Sequence, residues 1–173
     1  MQDKPVFLLD ANVFMQAARQ YYAFDVAPGF WDGLIHHATQ GDLLSIDKVK
    51  HELMRGNDAL ADWARDDFSN AFVTTARDDV AALYKEVMEC VAGNVRYFDA
   101  VKAEFADGAD GWLVAYARAE KTTLLVTQEQ LRPDIKRRVP ITNVCQYFKM
   151  EWIDTFEMLR RLGVSLGWTP GRR

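Results

Sequence analysis

The chain has 173 residues, of which 49% are hydrophobic and 27% are charged, and its formal net charge is −4 at pH 7. These values are typical of a soluble single-domain protein, and the acidic balance argues against a broad nucleic-acid-coating surface, which is usually basic. No apolar run approaches the roughly 20 residues that cross a bilayer and no secretory signal pattern is present, so we expect a cytoplasmic protein.

The first part of the chain alternates between strand and helix patterns. A buried strand is predicted over Val6–Leu9, and Asn12 is expected to cap the amphipathic helix that follows. A second helix is predicted over residues 28–41. A second strand follows over Leu43–Ile46, and Asp47 is expected to cap the helix after it. Strands that alternate with helices in this way favour a parallel sheet.

The remaining elements are mostly helical. Apolar side chains recur at helical spacing over residues 58–68, 77–92 and 94–105, whereas 71–74 reads as a short strand or an extended link. The further predictions are a helix over 111–120, a strand over 123–127, a last strand over 139–141, a helix from Thr142 or Asn143, and a helix over 154–162. Cys90 and Cys145 lie in apolar helical patterns, which predicts buried free thiols and fits a reducing compartment.

This order of elements predicts an α/β fold around a central, mostly parallel sheet, with the helical middle of the chain packed beside it as an arm or cap. We expect one domain over residues 1–162. Residues 163–173 are glycine-rich and basic, and are expected to form a loosely held tail.

Four acidic residues stand where predicted elements meet. Asp10 follows the first strand, and Glu52 lies in the helix after the second. Asp110 precedes the helix over 111–120, and Glu129 comes two residues after the third strand. Carboxylates gathered at the carboxyl edge of a parallel sheet repel one another unless a cation neutralises them. Their hard oxygen ligands suit Mg²⁺ or Mn²⁺, and such a site can hydrolyse phosphodiester bonds.

Four segments in this order resemble the PIN-domain family of metal-dependent ribonucleases. They are residues 8–12 (Leu-Leu-Asp-Ala-Asn), 45–53 (Ser-Ile-Asp-Lys-Val-Lys-His-Glu-Leu), 109–117 (Ala-Asp-Gly-Trp-Leu-Val-Ala-Tyr-Ala) and 125–129 (Leu-Val-Thr-Gln-Glu). The resemblance covers roughly residues 6–153 and implies a three-layer α/β/α sandwich. Residues 139–145 resemble the ending of a bacterial PIN-like subgroup, many of whose members belong to toxin–antitoxin pairs.

The resemblance implies a metal-dependent endoribonuclease that leaves a 5′-phosphate product. Asp10, Glu52 and Asp110 would be the catalytic acids around one or two Mg²⁺ or Mn²⁺ ions. Glu129 stands where the family usually has the shorter aspartate, so it would reach the metal through water or have only a structural role. Asn12 and Thr127 would support the site. The implied setting is the toxin of a type II pair, restrained by a cognate antitoxin, and a homodimer is an arrangement that such toxins commonly adopt.

The residues alone leave other roles for the acids open, and with them two other functions. Asp10 and Asp110 can act as helix caps, Glu52 can be a solvated helix residue, and Asp107 competes with Asp110 for the metal. If the acids have such structural roles, the protein is an interaction module with weak or no catalysis. A flap-type DNA nuclease is the third possibility, and the acidic net charge disfavours it.

Candidate RNA contacts lie outside the acidic set. Lys136, Arg137 and Arg138 form a basic run that can attract phosphates, although a solvated loop explains it equally well. Tyr21 and Tyr22 stand at a predicted helix end and can stack on bases. Aromatic residues of the helix over 28–41 are expected to pack in the core instead.

Overall fold

The computed structural model describes residues 4–167. In this part of the chain five strands form one sheet: β1 Val6–Leu9, β2 Leu43–Ile46, β3 Phe72–Val73, β4 Thr123–Val126 and β5 Trp152–Ile153. Their order is β3-β2-β1-β4-β5, and every neighbouring pair is parallel. The predicted α/β fold is therefore confirmed. The sheet was expected to be mostly parallel, and every described pairing is parallel.

Helices cover the sheet. They are α1 Ala11–Gln16, α2 Pro28–Thr39, α3 Asp47–Met54, α4 Ala59–Asp66, α5 Asp78–Gly93, α6 Asp99–Asp107, α7 Asp110–Ala119, α8 Ile141–Tyr147 and α9 Thr155–Leu162. A π-helical turn over Ala17–Tyr21 continues α1, and a 3₁₀ turn over Ser69–Ala71 precedes β3. None of the helices formed by residues 4–167 is long and apolar enough to cross a membrane.

The chain runs outward from β1 to β3 and then returns to place β4 on the other side of β1. Because parallel crossovers are right-handed, this reversal puts helices α1–α4 and helices α5–α8 on opposite faces, as in a three-layer sandwich. Contacts within each group agree: α3 packs on α1 and α4, whereas α7 packs on α5, α6 and α8. The helical middle of the chain thus packs beside the sheet.

The core is apolar along whole strands, as expected where helices cover both faces of a parallel sheet. Leu8 and Leu9 of β1 are fully buried. An aromatic cluster packs under α1, with ring centroids 5.5 Å apart for Phe14 and Phe68, and 4.7 Å apart for Trp63 and Phe68. Trp31 of α2 joins this cluster, which confirms its predicted core role.

One prediction of secondary structure near the end of the chain is wrong, and one strand there was not predicted. Residues 139–141 do not form a strand: Val139 and Pro140 lie in a loop, and Ile141 begins α8. Proline lacks an N–H for a strand ladder, and its fixed φ suits the position just before a helix. The fifth strand is instead Trp152–Ile153, which is too short to show a periodic pattern.

Two predicted helix caps are also wrong. The first helix begins at Ala11, so Asn12 lies in its first turn and Asp10 occupies the N-cap position. Asp47 is the first residue of α3 and accepts hydrogen bonds from the hydroxyl and amide of Thr75, at 2.8 and 3.1 Å. That contact ties the end of β2 to the segment after β3. The helix predicted from residue 94 begins five residues later, at Asp99.

The cysteines and the end of the chain differ in part from expectation. Cys145 is a buried free thiol as predicted, whereas Cys90 is only half-buried. Gly163 ends α9 in a left-handed conformation, with φ of 71°. Val164 then packs against the core. Residues 168–173 of the predicted tail lie outside the described residues.

Candidate functional site

The site is built where the strand order reverses, between β1 and β4. Asp10 follows β1, and Thr127 follows β4 directly beside it. Ligands of open α/β sheets bind at this reversal, outside the carboxyl ends of the strands. The Thr127 hydroxyl donates a 2.8 Å hydrogen bond to Asp10 Oδ2 and joins residues 117 positions apart.

A small polar network fixes Asp10. The Asn12 side chain donates to Thr127 Oγ1 at 3.1 Å, and its carbonyl oxygen accepts from the Gln128 amide at 3.0 Å. The Glu129 amide also donates to Thr127 Oγ1, at 3.2 Å. Asn12 and Thr127 are therefore positioned to support Asp10, and the side chain of Asn12 acts through Thr127.

Asp110 and Glu52 enter the site from the helices. Asp110 is the first residue of α7, and Glu52 lies near the end of α3. Glu52 Oε1 accepts a 2.7 Å hydrogen bond from the Ala109 amide, so it anchors the loop that delivers Asp110. Gly111 allows α7 to approach α5 closely, because a Cβ there would lie 2.8 Å from Met88 Cε.

These acids line one cleft of about 380 Å³. Asp10, Glu52, Asp110 and Glu129 are brought together there, as the sequence predicts. The exposed competitor Asp107 ends α6 at the mouth of the cleft. Sequence analysis missed several further lining residues, among them Arg55, Glu104 and Met15. Helical spacing could have found two of them, because Arg55 follows Glu52 by three positions and Glu104 precedes Asp107 by three.

The cleft opposes ionisation of its buried acids. Asp10 is 2% exposed, and burial raises its pKa from 3.8 to about 7. The Thr127 hydrogen bond and the Asn12 backbone amide favour the charged form and offset part of this effect, whereas the charges of Glu129 and Glu52 raise the pKa further. Burial also raises the pKa of Asp110 well above its usual value, and the charges of Asp10, Glu129 and Glu52 add to the effect.

A simple capping role does not account for the two aspartates. Among residues 4–167, Asp10 forms no side-chain capping hydrogen bond at the start of α1, although the Asn12 backbone amide lies close enough to favour its charged form. Asp110 is the first residue of α7, and Ala109 occupies the cap position before it. The genuine caps of this chain look different. Asp58 accepts from the Ala61 amide at 3.1 Å, and Asp154 accepts from the Glu157 amide at 2.8 Å. Asp10 thus lacks the side-chain capping bond of Asp58 and Asp154, and Asp110 does not occupy a cap position.

Glu129 is held by groups of the protein itself. Its side chain is 9% exposed and pairs through Oε1 with the guanidinium of Arg138. Its Oε2 accepts a 2.9 Å hydrogen bond from the Ile141 amide at the start of α8. Arg138 thus places a positive charge beside the acidic cluster, and it lowers the pKa of Asp110.

The donor set fits a hard divalent cation by its chemistry. Every acid in the cleft offers carboxylate oxygens, which Mg²⁺ and Mn²⁺ prefer, and a cation would remove the repulsion that raises the pKa values of Asp10 and Asp110. Over the described range 4–167, however, no three His, Cys, Asp or Glu side chains are placed to bind one ion together. Glu52 and Glu129 are turned toward Ala109, Arg138 and Ile141 instead.

Comparison with known proteins gives the family but no activity. A family model described as a domain of unknown function, DUF4411, matches residues 7–166. The chain belongs to the DUF4411 family. No curated protein and no solved structure matches it. The match spans every element of the fold described above, from β1 to α9, and therefore includes the whole acidic cleft.

The predicted RNA contacts of this DUF4411 chain are dispersed. Arg138 lines the cleft beside Glu129, whereas Lys136 and Arg137 are exposed on the preceding loop and are not among its lining residues in the described structure. Tyr21 is exposed and lines a neighbouring groove. Tyr22 is stacked on Phe30 with ring centroids 4.4 Å apart, so it packs against the core instead of facing solvent freely.

Proposed function

We propose that this protein is a metal-dependent endoribonuclease of the PIN type, which hydrolyses RNA phosphodiester bonds. One observation carries the proposal: four acidic side chains from distant segments line a single cleft at the reversal point of a parallel sheet. Two of them, Asp10 and Asp110, have pKa values that burial and the charges of neighbouring acids raise. Perturbed acids in a cleft are characteristic of functional sites.

Each side chain has a distinct role in this proposal. Asp10 is oriented through Oδ2 by Thr127, which leaves Oδ1 for a cation. Asp110 supplies the second carboxylate, and Glu52 fixes the loop before it. When bound, Mg²⁺ or Mn²⁺ supplies a more acidic water and stabilises charge on the scissile phosphate. Arg138 stands beside the cleft as a guanidinium for a phosphate oxygen.

The biological setting follows from the PIN resemblance and is part of the proposal. We expect a cytoplasmic toxin of a type II pair, restrained by a cognate antitoxin that covers the cleft. A homodimer is the assembly expected for such a toxin. Both expectations can be checked by co-purification with the neighbouring gene product and by light scattering of the purified chain.

Cleavage of mixed RNA substrates with Mn²⁺ or Mg²⁺ tests the activity. Wild type is compared with Asp10→Asn and Asp110→Asn, and Asp107→Asn serves as a matched control because Asp107 is an exposed acid at the mouth of the same cleft. We expect metal-dependent cleavage that both cleft variants lose by 100-fold or more, on the order seen when a catalytic electrostatic group is removed. Asp107→Asn should retain most of the activity.

The same assay has outcomes that reject the proposal. Cleavage that persists in Asp10→Asn and Asp110→Asn would come from another site or a contaminant. A preference for structured DNA over single-stranded RNA would favour the flap-type nuclease. No cleavage by wild type, combined with no rise in melting temperature on adding Mn²⁺, would support a non-catalytic interaction module.

The interaction module is the second candidate because of a specific observation. Glu52 and Glu129 both hydrogen-bond to backbone amides, of Ala109 and Ile141 respectively, so each has a structural role without any metal. In that case the acids would organise loops between helices. Metal binding separates the two candidates, since only the nuclease needs it.

A further inference from the structure

We propose that a groove beside the acidic cleft binds an unpaired base of single-stranded RNA next to the bond that is cut. We call it the base groove and define it by Gln16, Tyr21, Gln128, Gln130, Trp152 and Phe156. This inference rests on the proposed nuclease function and names its substrate class. It concerns residues that the acidic site does not use.

Three separate elements bring aromatic rings to the base groove. Tyr21 ends the π-helical turn after α1, Trp152 belongs to β5, and Phe156 lies in the first turn of α9. The rings of Tyr21 and Phe156 meet edge to face, with centroids 5.9 Å apart at 76°. Tyr21 is 49% exposed and Phe156 is 39% exposed, so both present ring surface to solvent.

The groove has the size and polarity of a site for a flat heterocycle. Its volume is about 460 Å³, within the range of roughly 300–1,000 Å³ for small-molecule sites. Aromatic faces stack on any base, and single-stranded RNA is recognised by such stacking together with hydrogen bonds to base edges. Gln16, Gln128 and Gln130 place amide groups, which both donate and accept, at the same groove.

Charge distinguishes a base from a phosphate as the occupant. Among the described residues that line the groove there is no lysine or arginine, whereas Glu129 and Asp154 contribute carboxylates. A phosphate would therefore be repelled, and a neutral base would not. The acidic cleft next to it is lined by Arg55 and Arg138 and, with a cation, suits the phosphate. The sugar–phosphate chain and its base thus have separate surfaces.

The two surfaces are adjacent. Glu129 lines both the acidic cleft and the base groove, and Thr127, which bonds Asp10, also lines the groove. A nucleotide whose phosphate lies over the acids can therefore turn its base into the groove. A base in a duplex is paired and stacked and cannot do so without unpairing. The geometry selects single-stranded segments.

Binding, measured separately from cleavage, tests the base groove. Fluorescently labelled single-stranded RNA is titrated with Asp10→Asn protein, alone and combined with Tyr21→Ala or Phe156→Ala. The matched control is Tyr147→Ala, which removes a ring that is 68% exposed on α8 and lines a different pocket. We expect each groove variant to weaken single-strand binding by roughly 5- to 100-fold, the range for loss of one base–aromatic stack. Tyr147→Ala should change single-strand binding by less than twofold. The groove variants should change the binding of duplex RNA by less than twofold.

A second measurement does not depend on truncating a ring. Single-stranded RNA should quench the fluorescence of Trp152, and Trp152→Phe should abolish that component while binding persists, because phenylalanine keeps an aromatic face. Quenching by single-stranded DNA to the same extent would show that the base, and not the 2′-hydroxyl, is recognised, and would support the inference.

The outcomes separate this inference from the proposed function. If wild type cleaves RNA but Tyr21→Ala and Phe156→Ala bind like the Tyr147→Ala control, and Trp152 is not quenched, the base groove is rejected and the nuclease stands. If wild type neither cleaves nor binds RNA, both are rejected. Weakened binding with an unchanged melting temperature in the groove variants supports the inference directly.

Discussion

Asp10 carries a charge that the metal-free fold disfavours. Its pKa is about 7 in the folded protein, against 3.8 for a free aspartate, so between these values the folded state holds a proton that the unfolded state releases. Stability from this group is thus full below about pH 4, falls as the pH rises, and is lowest above about pH 7. The shift corresponds to no more than about 5 kcal/mol, at about 1.4 kcal/mol per pKa unit.

We therefore predict that Asp10→Asn stabilises the metal-free protein at pH 8 and that the gain disappears toward pH 4. Asparagine keeps an oxygen for the Thr127 hydroxyl but carries no charge. Melting temperatures measured in EDTA from pH 4 to pH 8 would show this, with Asp107→Asn as the control that should change little. An equal effect of Asp10→Asn at all pH values would contradict the burial-driven pKa.

Glu52 combines a structural bond with a proposed metal role, and two substitutions separate them. Glu52→Gln keeps the Oε1 acceptor for the Ala109 amide, so we predict an unfolding free energy within about 0.5 kcal/mol of wild type. Glu52→Ala leaves that amide without its partner and should cost about 1 to 2 kcal/mol. Urea unfolding measures both. If Glu52 also binds the metal, Glu52→Gln should lose the Mn²⁺-induced rise in melting temperature despite its normal stability.

At the scale of elements, the position of Asp110 depends on how closely α7 packs on α5. A Cβ on Gly111 would lie 2.8 Å from Met88 Cε and 3.0 Å from Tyr84 Cε2. We predict that Gly111→Ala destabilises the protein by about 1 to 2 kcal/mol, because overpacking outweighs the better helix propensity of alanine. The control is Gly93→Ala at the end of α5, where a Cβ meets nothing within 4 Å. The double variant with Gly111→Ala and Met88→Ala should regain part of the lost unfolding free energy. Urea unfolding measures it.

Periodic patterns made most of these elements predictable. The strands β1, β2 and β4 and the helices α2, α5 and α9 are long enough to show their period and lie within a few residues of the predicted bounds. The two-residue strand β5 has no period to detect, and its place is set by pairing with Leu125 and Val126 of β4. Residues 139–141 look like a strand because two β-branched residues flank Pro140, yet the fold uses them to start a helix.

In the site, too, the residues that follow strands could be predicted from the sequence, whereas the contacts that depend on packing could not. Asp10 and Thr127 could be brought together from sequence, since both follow buried strands of one parallel sheet. The hydrogen bond from the Ala109 amide to Glu52 could not, because it depends on how the loop between α6 and α7 meets α3. The pairing of Glu129 with Arg138 depends likewise on the path of an irregular loop.

For the whole molecule, metal binding should appear as added stability. The wild-type protein gathers its acids in one cleft, and a cation that binds only the folded state stabilises it by about 2.7 kcal/mol at a concentration of 100 Kd. For a chain of this size we predict a rise in melting temperature of roughly 5–10 °C with saturating Mn²⁺. Differential scanning fluorimetry measures it, EDTA should reverse it, and Asp10→Asn should abolish it. A rise of equal size in Asp10→Asn would place the metal elsewhere.

The strand order also governs when the cleft can exist. β1 lies at the centre of the sheet, and its partner β4 is more than a hundred residues further along the chain. Contacts of such high sequence separation require closure of a long loop and slow the search for the native topology. During synthesis, a chain that has not yet released residues 123–129 from the ribosome has neither Thr127 to orient Asp10 nor Glu129 to close the cleft. A chain with this topology cannot complete the acidic cleft until β4 and the residues that follow it are free to pair with β1.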